Sequence, residues 1–291
     1  RDQRPRTTLA RDVHFSRPAL PRAMPGAMSE GENAMFGALC GCIETTLLQS
    51  TNYWKNAAQQ GLPFTLNPAV LYRGYVANLF NNGAATSSQF FFGGIIKKSM
   101  TGGADRPLTG SETITAAVGA GVLSGPVCSP IELVMIQQQR KGGSLFGTAA
   151  ELARGGHLTR GTTGMMLREG LFCGGYMGVT PVMRGWLREN YPDSIGSTED
   201  RARLAATLIS TPVCSFASHP PDTLKTCLQG DVERTKFGGY SQTASTLVGE
   251  SGYPALWRGL PWRCLRQICA VFIFDKLSAE LAPRIFPHAF H

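Results

Sequence analysis

Charged residues fall in clumps along this chain and leave long uncharged stretches between them. Gly74 to Ile96 runs without a single charge. A second uncharged stretch separates Glu112 from Glu132, and a third separates Arg203 from Asp222, with His219 inside. A helix crossing a bilayer core needs about 20 mostly apolar residues. These stretches are long enough, but they are rich in Gly, Ala, Ser, Thr and Asn. Small residues let helices approach closely, so the pattern predicts a multi-helix bundle rather than isolated spans. Gly37–Gly41 and Gly121–Gly125 are small-xxx-small pairs of that kind.

A longer pattern recurs three times. The third copy reads Pro220-Pro221-Asp222-Thr223-Leu224-Lys225, with Gln229 nine residues after Pro220. The second reads Pro130-Ile131-Glu132-Leu133-Val134-Met135, with Gln139 nine residues after Pro130. The first is eroded: Cys42-Ile43-Glu44-Thr45-Thr46-Leu47, with Thr51 nine residues after Cys42. The starts at Cys42, Pro130 and Pro220 are almost evenly spaced. Each copy is followed by the glycine of a triplet: Tyr72-Arg73-Gly74, Thr159-Arg160-Gly161 and Trp257-Arg258-Gly259. The interval from start to glycine is nearly the same in the first two copies and longer in the third. An apolar segment opens after each glycine.

These residues resemble the signature of the mitochondrial carrier family, over about residues 31–285. That signature is Pro-x-acid-x-x-base on each odd helix and aromatic-base-Gly before each even one. The resemblance implies an all-α membrane protein of the mitochondrial inner membrane, multi-pass. Six transmembrane helices would form three pseudo-symmetric two-helix repeats around a central cavity, with short matrix-side helices. The expected divisions are an extension over 1–32 and repeats over 33–108, 109–196 and 197–291.

The same resemblance assigns candidate residues. Glu44, Glu132 and Asp222 would be the matrix-gate acids, with Lys225 the base and Gln139 and Gln229 bracing them. The other base positions hold Leu47 and Met135, so three acids face one base. Only Glu132–Lys225 can then pair, and Glu44 and Asp222 must find other donors, because an unpaired buried carboxylate is costly. Such a gate should be weak or packed apolarly. Pro130 and Pro220 would kink their helices, or else simply end them. Seven residues after each triplet glycine stand Asn81, Arg168 and Arg266, followed by Asn82, Glu169 and Gln267. These match the family's substrate-contact positions. Arg168 and Arg266 could grip a carboxylate with a bidentate fork, and Arg168-Glu169 resembles the pair in amino-acid-type carriers. The alternative is an internal Arg–Glu pair that serves structure. Backbone N–H groups at a helix start favour phosphate. By the resemblance, Arg73-Gly74, Arg160-Gly161 and Arg258-Gly259 would hold cardiolipin between repeats; the alternative is that they are ordinary interfacial arginines. The opposite gate is degenerate, with Phe274-Asp275-Lys276 in the third copy, Phe92-Gly93 in the first and Val179-Thr180 in the second.

Composition removes several other classes. Net charge is +8, yet no basic run carries interleaved aromatics, so nucleic acid is not an expected partner; anionic lipid is. The 8 cysteines are scattered without paired C-x-x-C units, which argues against zinc. No G-x-G-x-x-G or Walker loop appears, and no catalytic constellation, so neither an enzyme nor a cofactor beyond bound cardiolipin is expected. Residues 1–32 are rich in Arg and Pro, which suggests import processing and attachment to a partner. Two functions stay open. One is a carrier moving a carboxylate or amino-acid-type metabolite by alternating access. The other is a non-transporting structural subunit of a large inner-membrane respiratory complex, bound to other subunits through residues 1–32.

Overall fold

The computed structural model describes residues 30–289, apart from 105 and 107. The expected extension over 1–32 lies almost wholly outside the described residues. Within them all regular structure is helical. Long helices are α1 (Glu30–Gln60), α3 (Tyr75–Met100), α4 (Gly110–Lys141), α8 (Glu199–Gly230) and α10 (Leu260–Glu280). A sixth long stretch joins α6 (Thr162–Cys173), a π-helical turn Gly174–Val179 and α7 (Thr180–Asn190). Shorter helices are α2 (Pro68–Leu71), α5 (Leu145–Arg154), α9 (Tyr240–Ser251) and α11 (Ala282–Ile285). Each long stretch packs on the next in chain order, and α1 packs on α10, which closes a ring.

Local chemistry explains the helix starts. Thr109 and Glu112 form a capping box at α4: the Glu112 N–H donates to Thr109 Oγ1 at 3.3 Å, and the Thr109 N–H donates to Glu112 Oε2 at 2.9 Å. Such reciprocal bonds satisfy donors that the helix itself leaves orphaned. Thr198 and Ser144 cap α8 and α5 through their hydroxyls. The three triplet glycines instead start α3, α6 and α10 in the left-handed region, at φ 73°, 82° and 86°. Space forbids a side chain as well. A Cβ on Gly74 would lie 2.8 Å from Met135 O, one on Gly161 2.8 Å from Gln229 Cγ, and one on Gly259 2.7 Å from Lys55 O. Backbone geometry therefore accounts for these glycines, whatever binds beside them.

The prolines do not end their helices. α4 continues through Pro126 and Pro130, and α8 through Pro212, Pro220 and Pro221. A helical proline removes one hydrogen bond to the carbonyl four residues earlier. For Pro220 that carbonyl belongs to Phe216, and the Trp257 indole N–H takes it at 3.0 Å.

Only Gly110–Lys141 is apolar and long enough to cross a membrane by composition alone among the described residues. The other long helices carry the small and polar residues noted above. Of the two small-xxx-small pairs, Gly121–Gly125 sits at a tight contact with α6. Gly37–Gly41 does not: a Cβ on either would meet nothing within 4 Å.

α5 and α9 lie between consecutive long helices, as short helices were expected to. The first connection has only α2, a single turn. Its loop is pinned by rings instead. Trp54 stacks on Phe64 at 5.4 Å and meets Trp262 at 4.8 Å, and its indole donates to Thr65 O at 2.8 Å. This shortened connection determines where the functional residues of α1 stand.

Candidate functional site

A buried charge network crosses the ring near one end. Lys225 Nζ donates to Glu132 Oε1 at 2.6 Å, the one pair anticipated from sequence. The same ammonium reaches Asp222 Oδ1 at 3.0 Å. Asp222 also receives Lys55 Nζ at 2.8 Å, Gln59 Nε2 at 2.9 Å and Arg168 Nε at 3.3 Å, with Arg263 3.9 Å away. The Lys225, Asp222 and Glu132 side chains are 0%, 1% and 2% exposed. Charges this deep persist only when paired and hydrogen-bonded.

Lys55 corrects the reading of the first copy. On α8, acid, base and glutamine follow Pro220 by two, five and nine residues; on α4, Glu132, Met135 and Gln139 follow Pro130 likewise. Counting back from Lys55 puts the start at Ser50, with Asn52 in the acid place and Gln59 in the glutamine place. The contacts obey this count. Acid and base places meet around the ring as Glu132–Lys225 at 2.6 Å, Asp222–Lys55 at 2.8 Å and Asn52 Nδ2–Met135 Sδ at 3.5 Å. The residues before the first and third starts behave alike as well. Gln49 donates to the Arg73 carbonyl at 3.4 Å, and His219 Nε2 to that of Arg258 at 2.9 Å.

The expectation of three acids against one base is thus overturned. Two of the three contacts are ion pairs, and the third is neutral. Glu44, expected in this ring, stands two turns away and pairs with Arg266 at 3.0 Å. Gln139 accepts from Asn56 at 2.7 Å, joining α4 to α1. Gln229 donates to the Ser129 carbonyl at 3.3 Å, joining α8 to α4. Lys55, Gln59 and Arg263 are the residues that sequence reasoning missed. The signal for two of them was present: Lys55 and Gln59 repeat the four-residue interval of Lys225 and Gln229.

Above this ring lies a more accessible polar layer. The Arg266 side chain is 27% exposed and Arg168 17%. Arg168 pairs with Glu169 and also reaches Glu132 at 3.5 Å, so the internal-pair alternative describes its geometry in this structure. Gln89 donates to Glu169 at 3.0 Å, Asn82 to Thr45 Oγ1 at 2.8 Å, and Ser215 to Gln267. Asn81 is buried. The opposite end carries pairs such as Lys276–Glu280 at 2.6 Å, Arg184–Glu199 at 2.9 Å and His288–Glu32 at 3.2 Å. The Asp275 side chain lies outside the described residues.

The triplet arginines are not equivalent. The Arg160 guanidinium donates to the carbonyls of Leu228, Phe237 and Gly238, so its side chain ties α6 to the segment after α8. It lines a cavity of about 210 Å³ where the starts of α6 and α9 converge, with Arg234 also at the wall. The segment is held by Asp231. Burial acts to raise its carboxyl, but the N–H groups of Phe237, Lys236 and Thr235 and the Thr235 hydroxyl outweigh that and pull it down to about 2. A depressed carboxyl stabilises the fold above its unfolded value near 4, and that stability is lost as pH falls through the folded value. Melting temperature should therefore drop between about pH 4 and 2. Asp231→Asn should flatten that part of the profile, measured by intrinsic fluorescence.

Residues 200–277, which hold α8, Asp222, Lys225 and the triplet at Gly259, match the profile of the family described as "Mitochondrial carrier protein". The chain is 29% identical over 222 residues to "Mitochondrial glycine transporter YMC1" of Saccharomyces cerevisiae, covering 68% of this chain and 69% of that protein. It is 28% identical over 220 residues to "Solute carrier family 25 member 33" of Homo sapiens, covering 69% and 66%. The chain is thus similar to mitochondrial carriers over about two thirds of its length.

Proposed function

We propose that this chain is a mitochondrial carrier that spans the inner membrane with its six long helical stretches, arranged as three two-helix repeats around a central site. It exchanges a small carboxylate- or amino-acid-type metabolite by alternating access. The ring of Asn52–Met135, Glu132–Lys225 and Asp222–Lys55 contacts carries this reading. Such a ring closes one end, which we assign to the matrix side, and leaves the Arg168 and Arg266 layer reachable from the other. The relative named for glycine favours the amino-acid branch.

Lipid completes the picture. Two helix starts and the Arg160 and Arg234 side chains around one cavity suit a phosphodiester headgroup, and we assign it cardiolipin. The equivalent places at Arg73-Gly74 and Arg258-Gly259 are assigned the same ligand. The last is the poorest fit, because α2 is a single turn and supplies no second long helix start.

Proteoliposomes with purified protein and cardiolipin should take up labelled glycine against internal unlabelled amino acid. The absence of flux across carboxylates, amino acids and nucleotides would overturn the transporter reading. Comigration with a large complex on a native gel would then mark the chain as a structural subunit.

A further inference from the structure

We infer that Glu44 is a specificity-determining residue, accepting the ammonium group of a small zwitterionic substrate while Arg266 takes its carboxylate. This rests on the carrier reading above and deepens it.

Glu44 has been displaced from the closing ring by the corrected count on α1. It stands eight residues before Asn52, about 12 Å along the helix axis. That places it in the layer of Arg168 and Arg266. Arg266 contacts both oxygens of Glu44, at 3.0 and 3.3 Å. The pair bridges α1 and α10, so a solute inserted there touches two helices that must part or close. Its side chains are 10% and 27% exposed, against 0–2% for the Glu132–Lys225 pair below. An ion pair in contact with water is held weakly and exchanges partners readily. A sealed one does not.

Charge balance selects the ligand. The layer holds two acids, Glu44 and Glu169, and two bases, Arg168 and Arg266. The remaining candidates, Asn81, Asn82 and Gln267, are neutral. An anion inserted between Glu44 and Arg266 would satisfy the guanidinium and strand the carboxylate. A cation would do the reverse. A zwitterion replaces both halves of the pair, so no charge is left alone. An α-amino acid carries its two charges on neighbouring carbons, close enough to enter between groups that start 3.0 Å apart.

The test uses proteoliposomes at neutral pH, labelled glycine, and two external competitors. Alanine keeps the ammonium; lactate has the same skeleton with hydroxyl in its place. Wild type should be inhibited about tenfold or more better by alanine than by lactate. In Glu44→Gln the ratio should fall to near one, because the amide offers no charge to the ammonium. Glu44→Asp keeps the charge and should keep the preference with weaker apparent affinity, so it carries the test if the glutamine variant does not fold. A preference unchanged in Glu44→Gln, or lost in Glu44→Asp, overturns the inference and leaves the carrier reading intact. No uptake by wild type of any amino acid or carboxylate overturns both.

Discussion

Asp222→Ala is expected to destabilise the protein by about 3–5 kcal/mol, the range for removing one partner of a buried charge pair. The reason is the company this carboxylate keeps. Lys55, Lys225, Arg168 and Arg263 all point at it, at 2.8, 3.0, 3.3 and 3.9 Å. Lys225 would retain Glu132 and Arg168 would retain Glu169. Lys55 pairs with no other carboxylate among the described residues, and its side chain is 9% exposed. An uncompensated ammonium would then remain buried, while the Gln59 amide would lose its bond to Asp222 and keep the longer one to Thr223 Oγ1 at 3.3 Å. Glu112→Ala supplies the contrast. Its ion pair with Arg106 is open to water, where such pairs stabilise little, so the variant loses chiefly its capping bond with the Thr109 N–H. Thermal unfolding of the detergent-purified protein should show a large drop for the first and a small one for the second. Adding Lys55→Met to Asp222→Ala should restore part of the loss, since it removes the stranded charge. Equal melting temperatures for the two single variants would contradict the burial assigned to this network.

The second large effect is expected at the α4–α6 contact. A Cβ on Gly121 would lie 2.2 Å from the Glu169 carbonyl oxygen, 2.6 Å from its carbon and 2.9 Å from Cys173 Cβ. None of these is the far end of a flexible side chain, so the two backbones must separate. Overpacking of this kind costs typically about 1–3 kcal/mol. Gly121→Ala should therefore lower the melting temperature and, by shifting Glu169, weaken transport as well. Gly37→Ala tests the same chemistry with opposite sign. Nothing stands within 4 Å of that position, and alanine in a helix interior gains about 0.5–1 kcal/mol over glycine. Destabilisation at both positions alike would contradict the open space found at Gly37.

Much of the fold was legible because the third copy keeps every diagnostic type in place. Pro220, Asp222, Lys225, Gln229 and Trp257-Arg258-Gly259 all survive, and this stretch contains the family match. The left-handed glycines were legible for a related reason: no other residue suits both the dihedral and the close backbone approach. The first copy was misread because two signals competed. Equal spacing favoured Cys42, which precedes Gly74 by almost the same interval as Pro130 precedes Gly161. The connection carrying that spacing has only the single turn α2 where the other two have α5 and α9, so the true start, Ser50, stands much closer to Gly74. Ser and Asn replace Pro and acid there, leaving Lys55 and Gln59 as the remaining mark. Glu44 meanwhile offered an acid at the wrong height. The pairing of Arg168 and Arg266 with internal carboxylates could not be read either, because pairing across helices depends on rotations that spacing does not fix.

A crosslink tests the corrected count and the gate together. Asn52 and Met135 meet at 3.5 Å across α1 and α4. In a chain whose native cysteines are replaced, Asn52→Cys with Met135→Cys should be joined by a short bis-methanethiosulfonate in proteoliposomes. Glycine uptake should stop and then return with reductant. The pair Glu44→Cys with Met135→Cys, which the rejected count would bring together, should stay unlinked. Linking of that second pair instead of the first, or full uptake with the first pair joined, would contradict a ring at this level that must open for transport.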